Sequence, residues 1–166
     1  MKNIVLCGFM GCGKSTVGSV LSEKTGMPLI DTDTYIEQEA GMTVSQIFEN
    51  EGERGFRARE SAACEALSRR GGCILALGGG AVLNPQNVAV LKAGGTIVLL
   101  NVSPAAVKTR LKDDTTRPLL QRPDRDAAID ALFAARLPVY QAAADVAVDA
   151  EQSPDAVADA ILNALA

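Results

Sequence analysis

The chain has 166 residues, 48% of them hydrophobic and 22% charged, with a formal net charge of −4. That length supports one domain with a substantial core and is short for two. The acidic balance argues against a nucleic-acid partner, no run of about 18 apolar residues offers a membrane span, and no charged-then-apolar leader reads as a secretory signal, so a cytoplasmic protein is expected.

Cysteine and histidine usage narrows the chemistry further. Cys7, Cys12, Cys64 and Cys73 show no C-x-x-C spacing, so they read as reduced, partly buried thiols and not as a zinc site. The absence of histidine removes Ser-His-Asp and Cys-His catalysis and leaves carboxylates, lysine, arginine and bound metal to do the work.

The first apolar run, residues 4–7, reads as a strand and leads into Gly8-Phe9-Met10-Gly11-Cys12-Gly13-Lys14-Ser15, which fits G-x-x-x-x-G-K-[ST]. Glycines there let the backbone turn its N–H groups inward around a polyphosphate. A helix expected over 14–25, with Val17, Val20 and Leu21 at helical spacing, adds its N-terminal donors and the positive end of its dipole. Lys14 can then reach β- and γ-phosphates, and the Ser15 hydroxyl can ligate Mg²⁺. Thr16 stands where a dinucleotide fingerprint needs its third glycine, which argues against that alternative. Cys12, between two glycines, is the thiol whose alkylation should block nucleotide binding.

The second run, 29–30, ends in Asp31-Thr32-Asp33. Two carboxylates one residue apart in extended chain face the same side, so one suits a metal shell and the other a substrate hydroxyl; a surface turn or helix N-cap is the plainer reading. Helices are expected over 34–40, 44–49 and 53–70. The last opens with Gly52-Glu53-Arg54-Gly55-Phe56-Arg57-Ala58-Arg59-Glu60, where Arg54 and Arg59 read as a solvated charged face.

The third run, 73–77, ends in Gly78-Gly79-Gly80, which suggests a backbone approached closely by ligand. Further strands are expected over 96–100 and 146–148, and helices over 84–93, 104–112, 124–143 and 154–165. Asn84-Pro85, Ser103-Pro104 and Ser153-Pro154 each place a cap before a proline at the first helical position. Gly71-Gly72 and Gly94-Gly95 read as helix-closing turns. Residues 112–126 are the most charged stretch and read as a mobile loop over a site, not as core. Strands alternating with helices predict an α/β fold with a parallel sheet, with ligands at the carboxyl ends of the strands.

The phosphate loop, Asp31-Thr32-Asp33, Gly52-Glu53 with Phe56-Arg57 and Glu60, Ala76-Leu77-Gly78-Gly79-Gly80, Arg117-Pro118-Leu119-Leu120, and Arg136 with Tyr140 together resemble the shikimate kinase family, in order and over nearly the whole chain. The resemblance implies a three-layer α/β/α P-loop fold with a five-stranded parallel sheet in a single domain over 1–166, a substrate-binding region near 32–60 and a lid near 112–124. It implies ATP-dependent phosphorylation of the shikimate 3-hydroxyl in aromatic amino-acid biosynthesis, with one Mg²⁺ and a monomeric enzyme. It assigns Asp31 with Ser15 to the Mg²⁺ shell, and Asp33 to the substrate hydroxyls, as base or positioner. Arg57 and Arg136 hold the substrate carboxylate beside Gly78, Gly79 and Gly80, and Arg117 reaches the phosphates from the lid alongside Lys14. Nucleotide contacts fall to Gly11, Cys12, Gly13, Lys14, Ser15, Thr16, Arg110, Arg117 and Pro154. The stretch before Pro154, Glu151-Gln152-Ser153, departs from the family by lacking an arginine. Rival readings are a small P-loop kinase for gluconate or a nucleoside monophosphate, and an inactive nucleotide-binding regulatory module.

Overall fold

The computed structural model of the chain describes residues 1–114 and 118–166, with side chains from 1–114 and 120–166. Its elements follow the expected alternation: β1 (Asn3–Cys7), α1 (Lys14–Thr25), β2 (Leu29–Asp31), α2 (Thr32–Ala40), α3 (Val44–Ser68), β3 (Ile74–Ala76), α4 (Pro85–Gly94), β4 (Gly95–Asn101), α5 (Pro104–Arg110), α6 (Arg125–Ala143), β5 (Val146–Asp149) and α7 (Pro154–Leu165). Short 3₁₀ turns at Ala81–Leu83 and Pro118–Gln121 complete the described chain.

The strands form one parallel five-stranded sheet in the order β2-β3-β1-β4-β5. β1 lies at its centre, paired Ile4 to Ile74 on one side and Ile4 to Thr96 on the other. A strand covered on both faces must be apolar throughout, and Val5, Leu6, Ile74, Leu75, Ile97 and Val98 are fully buried. At about 1.5–3 kcal/mol for each fully buried aliphatic side chain, this central layer dominates the favourable side of folding. α1 packs on α7 and α3 on α4, supplying the helix layers. The strand order changes direction beside β1, so the loop after β1 opens at the crevice where ligands of such sheets bind.

The caps match the sequence reading: Asn84, Ser103 and Ser153 accept hydrogen bonds from Gln86, Ala106 and Ala156 N–H groups. Residues 44–51 and 53–68 are two helical stretches joined at Gly52, whose φ of 72° and ψ of −177° belong to a region that side chains disfavour. A satellite core of Ile36, Ile47, Phe56 and Ala63 fastens α2 to α3, separate from the main core.

Three readings need correction. Asp31-Thr32-Asp33 is not extended throughout, since α2 begins at Thr32 and places Asp33 in its first turn. Gly94 and Gly95 form no left-handed turn; Gly94 ends α4, Gly95 is extended, and both are glycine because Ser68 and Asn3 backbone leave no room for a Cβ. The stretch 112–126 is not all loop, since Leu120 is buried in the main core.

Candidate active site

Gly8, Gly11 and Gly13 all have positive φ, and Gly13 at 94° is the N-cap from which α1 starts at Lys14. The loop therefore presents backbone donors at the helix N-terminus, as its sequence predicts. Lys14 Nζ donates to Gly8 O at 2.7 Å and lies 3.6 Å from Cys12 Sγ, so its ammonium is folded onto the loop. Ser15 and Thr16 are exposed at the helix start, whereas Cys12 is buried.

Beside the loop, Gly11, Cys12, Gly13, Thr16, Val17, Arg110, Ala150, Gln152, Pro154 and Val157 line a cleft of about 260 Å³. Arg110 spans it, donating from Nη1 to Gly11 O at 3.0 Å and from Nη2 to Ala150 O at 2.7 Å. Pro154 stands at the first turn of α7 on the far wall, and Gln152, which donates to Asp149 O at 3.0 Å, joins the lining where the family arginine is missing. The sequence reading did not assign Gln152.

A second cluster gathers at the ends of β2 and β3. Asp31 caps α2, accepting from Thr34 N at 3.1 Å, so the N-cap reading of this residue is met and one carboxylate oxygen stays free for another partner. Thr32 Oγ1 accepts from Gly78 N at 3.1 Å, which ties this turn to the glycine triplet. Asp33 Oδ1 is buried with no hydrogen-bond partner among the described residues. Burial raises the Asp33 pKa, the nearby Asp31 charge raises it further, and Lys14 and Arg57 pull it back.

Each glycine of the triplet makes room for one of these side chains. A Cβ on Gly78 would lie 2.8 Å from Asp33 Oδ1, one on Gly79 would lie 3.1 Å from Arg136 Nη1, and one on Gly80 would lie 2.6 Å from both Arg57 Nη1 and Nη2. The triplet thus brings Asp33, Arg57 and Arg136 together across three separate elements.

Glu60, a residue given no role from sequence alone, supports this cluster. It is 1% exposed, accepts from Arg57 Nη1 at 2.9 Å, and leaves Oε2 without a hydrogen-bond partner among the described residues. Burial raises its pKa against the opposing pull of Arg57. Glu60 lies one helical turn after Arg57, a spacing that signals an ion pair but not its burial. Arg54 is exposed and Arg59 pairs with Glu51 through two bonds of 2.9 and 2.8 Å, so both belong to the outer face as expected. Arg117 lies outside the described residues.

The protein-family model "Shikimate kinase" matches residues 10–166. A shikimate kinase of Synechococcus sp. strain CC9902 is 45% identical over 99% of this chain and 86% of its own, and that of Caldicellulosiruptor bescii is 45% identical over 85% and 82%. The Acinetobacter baumannii shikimate kinase, solved in complex with shikimate, superposes with a TM-score of 0.91 at 37% identity, covering 99% of this chain and 93% of that one. A Sinorhizobium meliloti gluconokinase, at 20% identity and a TM-score of 0.63, shares the fold alone. A family match over residues 10–166, joined to 45% identity over 99% of the chain, establishes that this chain belongs to the shikimate kinase family.

Proposed function

We propose that the protein transfers the γ-phosphoryl group of ATP to the 3-hydroxyl of shikimate, giving shikimate 3-phosphate and ADP. The observation that carries this reading is the clustering of Asp33, Arg57 and Arg136 on the glycine triplet, electrostatically coupled to Lys14 of the phosphate loop through Asp33. Two guanidinium forks suit one planar carboxylate, and a half-buried carboxylate whose buried Oδ1 has no hydrogen-bond partner among the described residues suits a hydroxyl.

In this reading ATP lies with its base in the cleft between Arg110 and Pro154 and its phosphates over Gly11 to Thr16. The Lys14 ammonium exchanges the Gly8 carbonyl for phosphate oxygens. Asp33 accepts a hydrogen bond from the reacting hydroxyl and aims its oxygen at phosphorus, a task that needs position more than basicity when the transition state is loose. Arg117 supplies positive charge from the lid and closes the site to water, which prevents idle ATP hydrolysis.

The donor set fits Mg²⁺. Asp31 commits Oδ1 to Thr34 N and retains Oδ2, and the Ser15 hydroxyl stands exposed at the start of α1. No cluster of three or more His, Cys, Asp or Glu occurs among the described residues, so Asp31 and Ser15 would hold the ion together with phosphate oxygens and water. When bound, the ion screens the phosphate charge that would otherwise repel the incoming hydroxyl. The reading also includes a cytoplasmic monomer with its four thiols reduced; no described helix is long and apolar enough to cross a membrane.

Coupled ADP release with Mg-ATP tests the proposal, comparing shikimate, gluconate and nucleoside monophosphates as acceptors for wild type and Arg57→Ala. Release that requires shikimate and falls at least a hundredfold in the variant is expected. Equal release with another acceptor overturns the assignment.

A further inference from the structure

α6 carries Arg136 and, four residues later, Tyr140, so both project toward the same stretch of chain one helical turn apart. Tyr140 is 2% exposed, and its hydroxyl donates to Gly79 O at 2.7 Å. The point where a Gly79 Cβ would sit lies 3.1 Å from Arg136 Nη1 and 3.5 Å from the Tyr140 hydroxyl, so the two polar ends meet over the middle glycine of the triplet.

A phenol has one proton to give and lone pairs to receive. With the proton directed to Gly79 O, the lone pairs of Tyr140 are open to the Arg136 guanidinium, whose Nη1 stands over the same glycine and whose charge pulls the phenol pKa down against burial. Burial holds the phenol pKa above its ordinary value, so the hydroxyl stays neutral and keeps its donor throughout the working range. Gly79 O also belongs to the peptide group whose other end is the Gly80 N–H, and in a trans peptide these two point in opposite directions. Anchoring the carbonyl on Tyr140 therefore turns the Gly80 N–H away from Tyr140.

We propose that Tyr140 is a positioning residue for the acceptor site, setting the angle of the Arg136 guanidinium and the orientation of the Gly79–Gly80 peptide through one hydroxyl. This rests on the reading of that site as the shikimate site. Among the described residues no hydrogen bond links the hydroxyl to the cleft walled by Arg110 or to the phosphate loop, so its loss is expected to act chiefly on the acceptor side.

The test is Tyr140→Phe, which removes the hydroxyl and keeps the ring, with KM measured separately for shikimate and ATP. The expected result is a shikimate KM raised about tenfold, an ATP KM within twofold of wild type, and a kcat reduced less than the shikimate KM is raised; a tenfold change corresponds to the loss of one well-placed buried hydrogen bond. In a double-mutant cycle with Arg136→Lys, the two effects on shikimate KM should fall short of multiplying, because the second change finds the guanidinium already misaligned. Should Tyr140→Phe fail to fold, 3-fluorotyrosine at position 140 keeps ring and hydroxyl while weakening the oxygen as an acceptor, and should still move the shikimate KM alone. An unchanged shikimate KM, or parallel rises for shikimate and ATP, overturns the positioning role. Wild type inactive on shikimate overturns the functional reading itself.

Discussion

The nucleotide side and the acceptor side of this molecule are built by different means. The phosphate loop works through backbone: six consecutive residues, 8–13, join β1 to α1 and lead into the N-terminal N–H groups of α1, and only Lys14 and Ser15 add side-chain chemistry. The acceptor side works through side chains from α2, α3 and α6, brought to one place by a glycine triplet after β3. The first is therefore rigid by covalent locality and seated on the main core. The second needs long-range packing, its own satellite core, and buried charge, and it stores electrostatic cost in Asp33 and Glu60. Local sites tolerate distant mutation, whereas assembled ones are sensitive to any part that sets an angle.

The largest expected effect separates function from stability on the acceptor side. Asp33→Asn should lower kcat about a thousandfold, within the range for a positioned acid–base group. The same change should raise Tm by a few degrees at neutral pH, because the charge of a half-buried carboxylate whose Oδ1 is buried without a hydrogen bond is removed. The sign follows from the pKa. In the folded protein it is raised, so ionisation costs stability above the folded value and nothing below the unfolded one. The stability gap between variant and wild type should close as pH falls through the carboxylate range, and wild-type kcat/KM should fall on its acid side above the pH usual for aspartate. Thermal melts and rate profiles on both proteins check this, and an Asp33→Asn chain less stable than wild type at neutral pH would contradict it.

Gly80→Ala should strike the acceptor side next hardest. Its Cβ would occupy the space of the Arg57 guanidinium, so shikimate KM should rise about 10- to 100-fold, the cost of displacing one charge-assisted contact. ATP KM should stay put, and a common change in both constants would erase the distinction between the two sides. Arg110→Ala gives the mirror result at smaller scale: two backbone bonds across the nucleotide cleft are lost, and ATP KM should rise about fivefold with shikimate KM unaltered. Gly52→Ala should be milder still, costing about 1–3 kcal/mol of stability in chemical denaturation through its left-handed φ. Little change there would show that the junction in α3 relaxes freely.

The same division explains what could be read from sequence. A loop whose function is local backbone geometry carries its whole signature in eight residues, and the caps at Asn84, Ser103 and Ser153 are equally local, so all were legible. The break at Gly52 was visible as two helical patterns. The glycine triplet stood out, but the structure gives it a different reason: the crowding side chains of Asp33, Arg136 and Arg57, where the sequence suggested a ligand. Glu60 and Tyr140 drew no role because burial and a hydrogen bond spanning 61 residues are invisible to spacing rules. Gly94 and Gly95 misled for a related reason, since their neighbours Ser68 and Asn3 are distant in the chain. Leu120 looked like part of a polar loop and is core.

On the proposed reading, the Arg57 and Arg136 guanidinium groups beside the glycine triplet hold the carboxylate of the acceptor. Calorimetric binding of shikimate and of its methyl ester to wild type and Arg57→Ala tests it most directly. The account predicts that wild type binds the acid at least tenfold more tightly than the ester and that this ratio falls toward one in the variant. Equal affinity of wild type for acid and ester would contradict it.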